Sequence, residues 1–209
     1  MSVVIIGGAG ALGRCIVAKC KALNKRCINI DLAPNNEASV NIAIKPREEA
    51  PQITEQVEMV ICVAGSWKGT ESLEYSSLIG TWKDLEATNI CPSLQAIAIA
   101  NKHPDCKLVL TSAAASLHSC KGMIEYGMIK AAVNMLAVSS GLEYLVLMPA
   151  ILDTEANRKA MPGSDFANWT PPRDIADYLF CPQTKFNQFV EIKTLGNITS
   201  FKPKNLFSN

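Results

Sequence analysis

Short runs of aliphatic and β-branched residues recur along the chain, separated by longer stretches of mixed polarity. Segments 2–6, 27–31, 40–44, 59–63, 107–111, 144–148 and 188–193 are predicted to be strands. Most are apolar on both faces, as strands covered by helices on each side must be. Between them, 11–23, roughly 47–57, 85–101 and 124–139 are predicted to be helices. This alternation implies right-handed βαβ crossovers and a doubly wound α/β architecture. About seven parallel strands would lie in one domain spanning 1–209. The longest irregular stretch, 150–184, separates the last two strands; a connection of that length in a compact domain usually serves function, here as a substrate lid.

The first strand runs directly into Gly7-Gly8-Ala9-Gly10-Ala11-Leu12-Gly13, which then opens a helix. Glycines at a strand–helix junction let backbone N–H groups approach a pyrophosphate, whose charge the helix N-terminus favours. That is where a Rossmann-type fold needs them. Asp31 ends the second strand, followed by Leu32. An acidic side chain there can accept from both adenine-ribose hydroxyls and repels a 2′-phosphate, which favours NADH. Arg14 argues the other way, since a guanidinium can neutralise that phosphate, and NADPH stays possible. Asp31 could also serve only as a turn residue, and Arg14 only as a solvated one. At the end of the fourth strand, the small residues Ala64 and Gly65 allow the cofactor to lie close to the backbone.

Tyr126 and Lys130 are four residues apart, hence one turn apart on the same face of a helix. A neighbouring ammonium is expected to lower the phenol's pKa and let it exchange a proton near neutral pH. A dinucleotide loop followed by Y-x-x-x-K in this order resembles the short-chain dehydrogenase/reductase superfamily. Two more residues fit the resemblance: Pro149, after the sixth strand, and Thr154, which it implies contacts the nicotinamide carboxamide. The superfamily usually has a serine 13 residues before the tyrosine; that position is Ala113, with Ser112 one step earlier as a possible substitute. Asn89 is a candidate for the superfamily's helix asparagine, equally readable as a polar surface residue.

Within the superfamily, the chain resembles the quinonoid dihydropteridine reductases, which also lack the serine. The resemblance rests on the phosphate loop, on Cys62-Val63-Ala64-Gly65-Ser66-Trp67, and on residues 122–130 around the Tyr/Lys pair. It extends through 150–171, in Leu152-Asp153-Thr154, Asn157-Arg158-Lys159-Ala160-Met161-Pro162, Asp165-Phe166 and Trp169-Thr170-Pro171. It implies hydride transfer from NADH to a quinonoid dihydropterin, with Tyr126 supplying a proton, Lys130 tuning it and Trp67 offering an aromatic wall. Trp67 reads equally well as a surface anchor or core filler. The resemblance also implies a homodimer packed through helices 85–101 and 124–139, to which Ile97, Met135, Leu136 and Val138 contribute apolar content. The competing readings are a reductase of another quinonoid or carbonyl substrate and a catalytically silent NADH-binding module.

Composition narrows the field further. A formal net charge of +1 and the lack of any Lys/Arg run give no support for a nucleic-acid or membrane partner. Eight cysteines without a C-x-x-C pair, and two isolated histidines, His103 and His118, fit free thiols in a reducing cytoplasm rather than a metal site. The N-terminal apolar run lacks a basic leader and stops at once in glycines, so it does not read as a signal peptide. Asn197-Ile198-Thr199 matches a glycosylation acceptor, a chance match in a cytoplasmic protein.

Overall fold

A computed structural model describes residues 1–207. Its strands are β1 (Ser2–Ile6), β2 (Arg26–Asp31), β3 (Val40–Ala43), β4 (Val57–Cys62), β5 (Lys107–Thr111), β6 (Glu143–Pro149), β7 (Gln188–Leu195) and β8 (Ile198–Lys204). They form one sheet in the order β3-β2-β1-β4-β5-β6-β7-β8, parallel from β3 through β7. The helices are α1 (Ala11–Ala22), α2 (Tyr75–Leu85), α3 (Cys91–Ala100), α4 (Ile124–Ser139), α5 (Glu155–Ala160) and α6 (Pro172–Leu179). Alternate residues of each strand serve opposite layers. Val4 and Ile6 join Ile28, Val60, Leu108 and Leu110 in the layer under α3 and α4. Val3 and Ile5 join Ile61, Val109 and Leu147 in the layer beneath α1 and α6. With β2 on one side of β1 and β4 on the other, the strand order reverses at β1, and that reversal opens a crevice at the carboxyl ends of the strands.

Four expectations need correction. Segment 47–57 is not a helix. Pro46 and Pro51 bias the residues before them toward extended backbone, and the Gln95 side chain pins the segment by donating to the Lys45 and Glu48 carbonyls (3.3 and 2.8 Å). The helix expected over 85–101 is the second half of a longer run, Tyr75 to Ala100, interrupted by a π-turn at Glu86–Ile90. Its first half, α2, buries only Thr81 and Leu85, too few apolar positions to show a period. The stretch 150–184 is only partly irregular. Helix α6 belongs to the core, packing Ile175 and Leu179 beside Ile16 and Val17 of α1. The remainder, a loop carrying α5, closes at its base where Asp153 N–H donates to Thr170 O and Thr170 N–H to Ile151 O (both 2.8 Å).

The sheet also gains an eighth strand, antiparallel to β7. Gly196 and Asn197 join the two strands with φ of +55° and +65°, the positive pair that a two-residue type I′ hairpin requires. That turn was readable as Gly-Asn between two β-branched runs, in residues noted above only as a glycosylation acceptor. The buried Glu191 of β7 locks the hairpin: Lys193 lies 2.6 Å and Lys204 2.7 Å from its carboxylate oxygens. Among the described residues, no helix is long and apolar enough to cross a membrane, and no cluster of metal-ligating side chains occurs.

Lys193 and Lys204 hold the Glu191 carboxyl down from 4.5 to about 2. A carboxylate depressed by folding stabilises the protein fully above its unfolded pKa and loses that contribution as pH falls through the folded one. Relative to Glu191→Gln, the native protein should therefore lose stability between about pH 5 and pH 2. Urea midpoints across that range check this; a constant difference between the two proteins would remove Glu191 from the account.

Candidate active site

The crevice holds about 390 Å³ and is lined by Gly7, Ala9, Gly10, Asp31, Leu32, Lys45, Ala64, Gly65 and Ser66, among others. Two glycines make it possible. Gly7 has φ +92°, and a Cβ on it would lie 2.4 Å from Ala64 N; a Cβ on Gly13 would lie 2.0 Å from Gly7 O. The first allows strands β1 and β4 to meet, and the second allows α1 to press onto the turn. Gly10 precedes α1 in extended conformation with no side-chain cap, and Ala11 and Leu12 begin the helix, so its N-terminus faces the crevice without a protein anion. Such a cradle fits a dinucleotide pyrophosphate.

Asp31 is the strand-end turn residue, and its carboxylate also lines the crevice. Its Oδ1 accepts from Leu32 N–H and Ala33 N–H (2.6 and 3.3 Å), a strand-end turn, while Oδ2 accepts from Ala9 N–H of the glycine loop (2.9 Å). The carboxylate thus lines the crevice and ties its two walls together. Leu32 is exposed beside it. Arg14 donates to Ala9 O (2.6 Å), which places the guanidinium on the rim of the loop.

At the other end of the crevice, a Cβ on Gly65 would lie 2.7 Å from Asn89 Oδ1 and 3.4 Å from Lys130 Nζ. Asn89 occupies the π-turn; it is buried rather than on the surface, and its Nδ2 donates to Leu85 O (2.9 Å) and Ser66 O (3.2 Å). Its Oδ1 has no partner among the described residues, an open acceptor at the floor of the site. A π-turn displaces one residue from the regular helical face, and hydrophobic periodicity cannot register that. Lys130 is buried on α4, with Nζ donating to Thr111 O (3.0 Å) and lying 5.6 Å from the Tyr126 ring centre.

The expected lowering of the tyrosine pKa is not what the structure shows. Burial, with a smaller push from the Cys120 thiol, raises the Tyr126 phenol to about 12. Burial also lowers Lys130 to about 8. Desolvation is the largest cause for both groups, so the Tyr126 phenol is protonated near neutral pH. Ser112 is withdrawn from the crevice: it is buried, and its hydroxyl donates to the Lys130 carbonyl (2.8 Å). Pro149 ends β6. Thr154 caps α5, accepting from Asn157 N–H (3.2 Å) at the start of the loop over 152–170. Within that loop Arg158 forks onto Asp153 (2.5 and 2.8 Å) and lies 4.5 Å from the Phe166 ring. Trp67 is exposed above the start of α4.

This fold is that of the short-chain dehydrogenases/reductases. Serine dehydrogenase in its closed form with NADP+ superposes with a TM-score of 0.75 at 15% identity, over 100% of both chains. A short-chain dehydrogenase/reductase from Vibrio parahaemolyticus superposes with a TM-score of 0.70 at 15% identity, over 90% of this chain and 95% of that one. No family model matches the chain. A dihydropteridine reductase from Dictyostelium discoideum is 30% identical across 97% of this chain and 95% of its own. The chain belongs to the dihydropteridine reductase family of short-chain dehydrogenases/reductases, and is an NAD(P)H-dependent oxidoreductase.

The lysine makes a directional prediction. The unfolded chain keeps the Lys130 proton up to about 10.5, whereas the folded chain releases it above about 8. Between those values the unfolded state binds more protons, so stability relative to Lys130→Met should rise with pH; below about 8 the difference should be flat. Urea midpoints at about pH 7 and about pH 10 test this; a difference that falls with pH would contradict it.

Proposed function

We propose that this protein reduces quinonoid dihydropterins, such as quinonoid dihydrobiopterin, to tetrahydropterins at the expense of NADH. One observation carries the reading: half-buried Tyr126 keeps its phenolic proton, but Ala113 stands at the position of the polarising serine, with the Ser112 hydroxyl committed to the helix backbone. A ketone needs its carbonyl polarised before it accepts hydride. A quinonoid ring is already electron-poor and needs chiefly orientation and a proton. The family relationship to a dihydropteridine reductase points the same way.

Gly7, Gly8, Gly10, Ala11, Leu12 and Gly13 would hold the cofactor pyrophosphate, and Asp31 with Leu32 its adenine ribose. Ala64, Gly65, Lys130, Pro149 and Thr154 would hold the nicotinamide half. Bound NADH supplies the hydride. Tyr126 donates the proton, and Lys130, fixed on Thr111 O, holds the ribose and stabilises the phenolate left behind. Trp67 walls the pterin on one side, and the loop over 152–170, latched by Arg158 between Asp153 and Phe166, closes over it as a lid. The Asp31 carboxylate inside the crevice favours NADH, with Arg14 only on its rim.

A homodimer through α3 and α4 belongs to the same reading. Leu94 on α3 and Met128, Met135 and Val138 on α4 are exposed, an apolar stripe suited to a second copy. Ile97 and Leu136, also expected there, instead pack partly against the core. Eight free thiols fit a reducing cytoplasm.

Loss of NADH absorbance with quinonoid dihydropterin generated in place tests the proposal. Saturable turnover faster with NADH than NADPH is expected, with none on simple ketones; the reverse substrate pattern would shift the assignment to a carbonyl reductase. Tight NADH binding without turnover would leave a silent binding module. Tyr126→Phe should lower kcat by about 10²-fold while sparing NADH binding. Asp31→Ala should move the NADH/NADPH preference toward NADPH by about tenfold, and an unmoved ratio would void its ribose role.

A further inference from the structure

The loop after β4 is fastened to the very helix that carries Tyr126. Thr70 makes three of the attachments. Its N–H donates to Gly122 O (2.8 Å), its Oγ1 accepts from Ile124 N–H (2.8 Å), and its hydroxyl donates to Glu125 Oε2 in a short bond. Ile124 is the first residue of α4, and no side chain at Met123 caps that helix. Thr70 therefore caps α4 from a loop 54 residues away in sequence. Glu125 is 3% exposed and its Oε1 has no partner among the described residues. A carboxylate at that depth is costly unless its one donor is held in place, so the Thr70–Glu125 bond is the anchor of the arrangement.

The same loop carries Trp67. Its ring is 63% exposed, yet it does not hang free: the indole N–H donates to Met123 Sδ (3.2 Å). Gly69 lies between ring and helix, its Cβ position 3.4 Å from both Gly122 O and the Trp67 ring, an ordinary packing distance. Met123 precedes Tyr126 by three residues, so the ring rests on the turn from which the phenol projects. A large exposed aromatic held by a polar clamp at its base is preorganised for a flat ligand.

We propose that Thr70 and Glu125 are positioning residues that hold the Trp67 ring against the start of α4 and thereby set the affinity for the flat heterocyclic substrate. The affinity half rests on the reading of the substrate given above. Neither residue touches the reacting atoms; both act through Trp67.

Thr70→Val keeps the shape and removes the hydroxyl, Thr70→Ser keeps the hydroxyl, and Glu125→Ala removes the anchor. Two structural readouts need no substrate: the Trp67 indole N–H resonance, assigned with Trp67→Phe, and hydrogen exchange at the Ile124 amide. Thr70→Val and Glu125→Ala should move the resonance, speed Ile124 exchange and raise the dihydropterin KM by about tenfold. The NADH KM and kcat should stay within about twofold, and Thr70→Ser should restore all of these. An unmoved resonance overturns the clamp. A moved resonance with unchanged dihydropterin KM, or a parallel rise in the NADH KM, overturns its role in substrate affinity. If the native enzyme ignores dihydropterin, the substrate reading falls, and the role in pterin affinity falls with it. The clamp is then decided by the two structural readouts: moved in Thr70→Val they support it, unmoved they overturn it.

Discussion

The Ile6 carbonyl accepts two N–H groups, from Val63 and Ala64 (2.9 and 3.0 Å), and the rest of the molecule is arranged around that junction. By drawing the end of β4 over the end of β1 it leaves no room for a side chain at residue 7, which is why the turn begins with glycine. The chain must then rise away from the sheet on both sides of the junction, because β2 and β4 lead their crossovers in opposite directions. The crevice is the space this leaves. Asp31 reaches it from one flank and Gly65 from the other, with Asn89 and Lys130 packed close to that glycine.

Much of this was legible in the sequence, and for physical reasons. A sheet buried on both faces needs unbroken aliphatic strands, so the seven parallel strands stood out; a backbone that approaches a phosphate needs glycine, so residues 7–13 did too. The spacing of Tyr126 and Lys130 follows from the helical period. What stayed hidden depends on contacts distant in sequence. The π-turn that buries Asn89 changes no residue type, and the threonine that caps α4 lies in a loop with no periodicity. The hairpin ending in β8 had a visible Gly-Asn signal, in residues read above only as a glycosylation acceptor.

The chemical centre shows the limits of reasoning from spacing alone. One helical turn places Lys130 beneath Tyr126, but with 5.6 Å from ammonium to ring centre, the lysine buried and the tyrosine half-buried, desolvation governs both. The phenol holds its proton and the amine holds its own loosely. For the reduction proposed above this would be the useful arrangement, with the tyrosine arriving protonated and the lysine responding to charge developing beside it. Ser112, its hydroxyl turned to the Lys130 carbonyl, adds no hydroxyl to that proposed pair.

The last strand has a bearing on how the protein behaves in company. Parallel sheets end in rows of unpaired amides and carbonyls that invite another chain to add itself. Here one border of the sheet is the four-residue β3, and the other is β8, whose final residues are Lys202-Pro203-Lys204. A proline offers no N–H to an incoming strand, and the neighbouring Lys202 puts a charge on that edge. Growth by strand addition is blocked at that border and short-lived at the other. Both borders thus offer an incoming strand little to pair with.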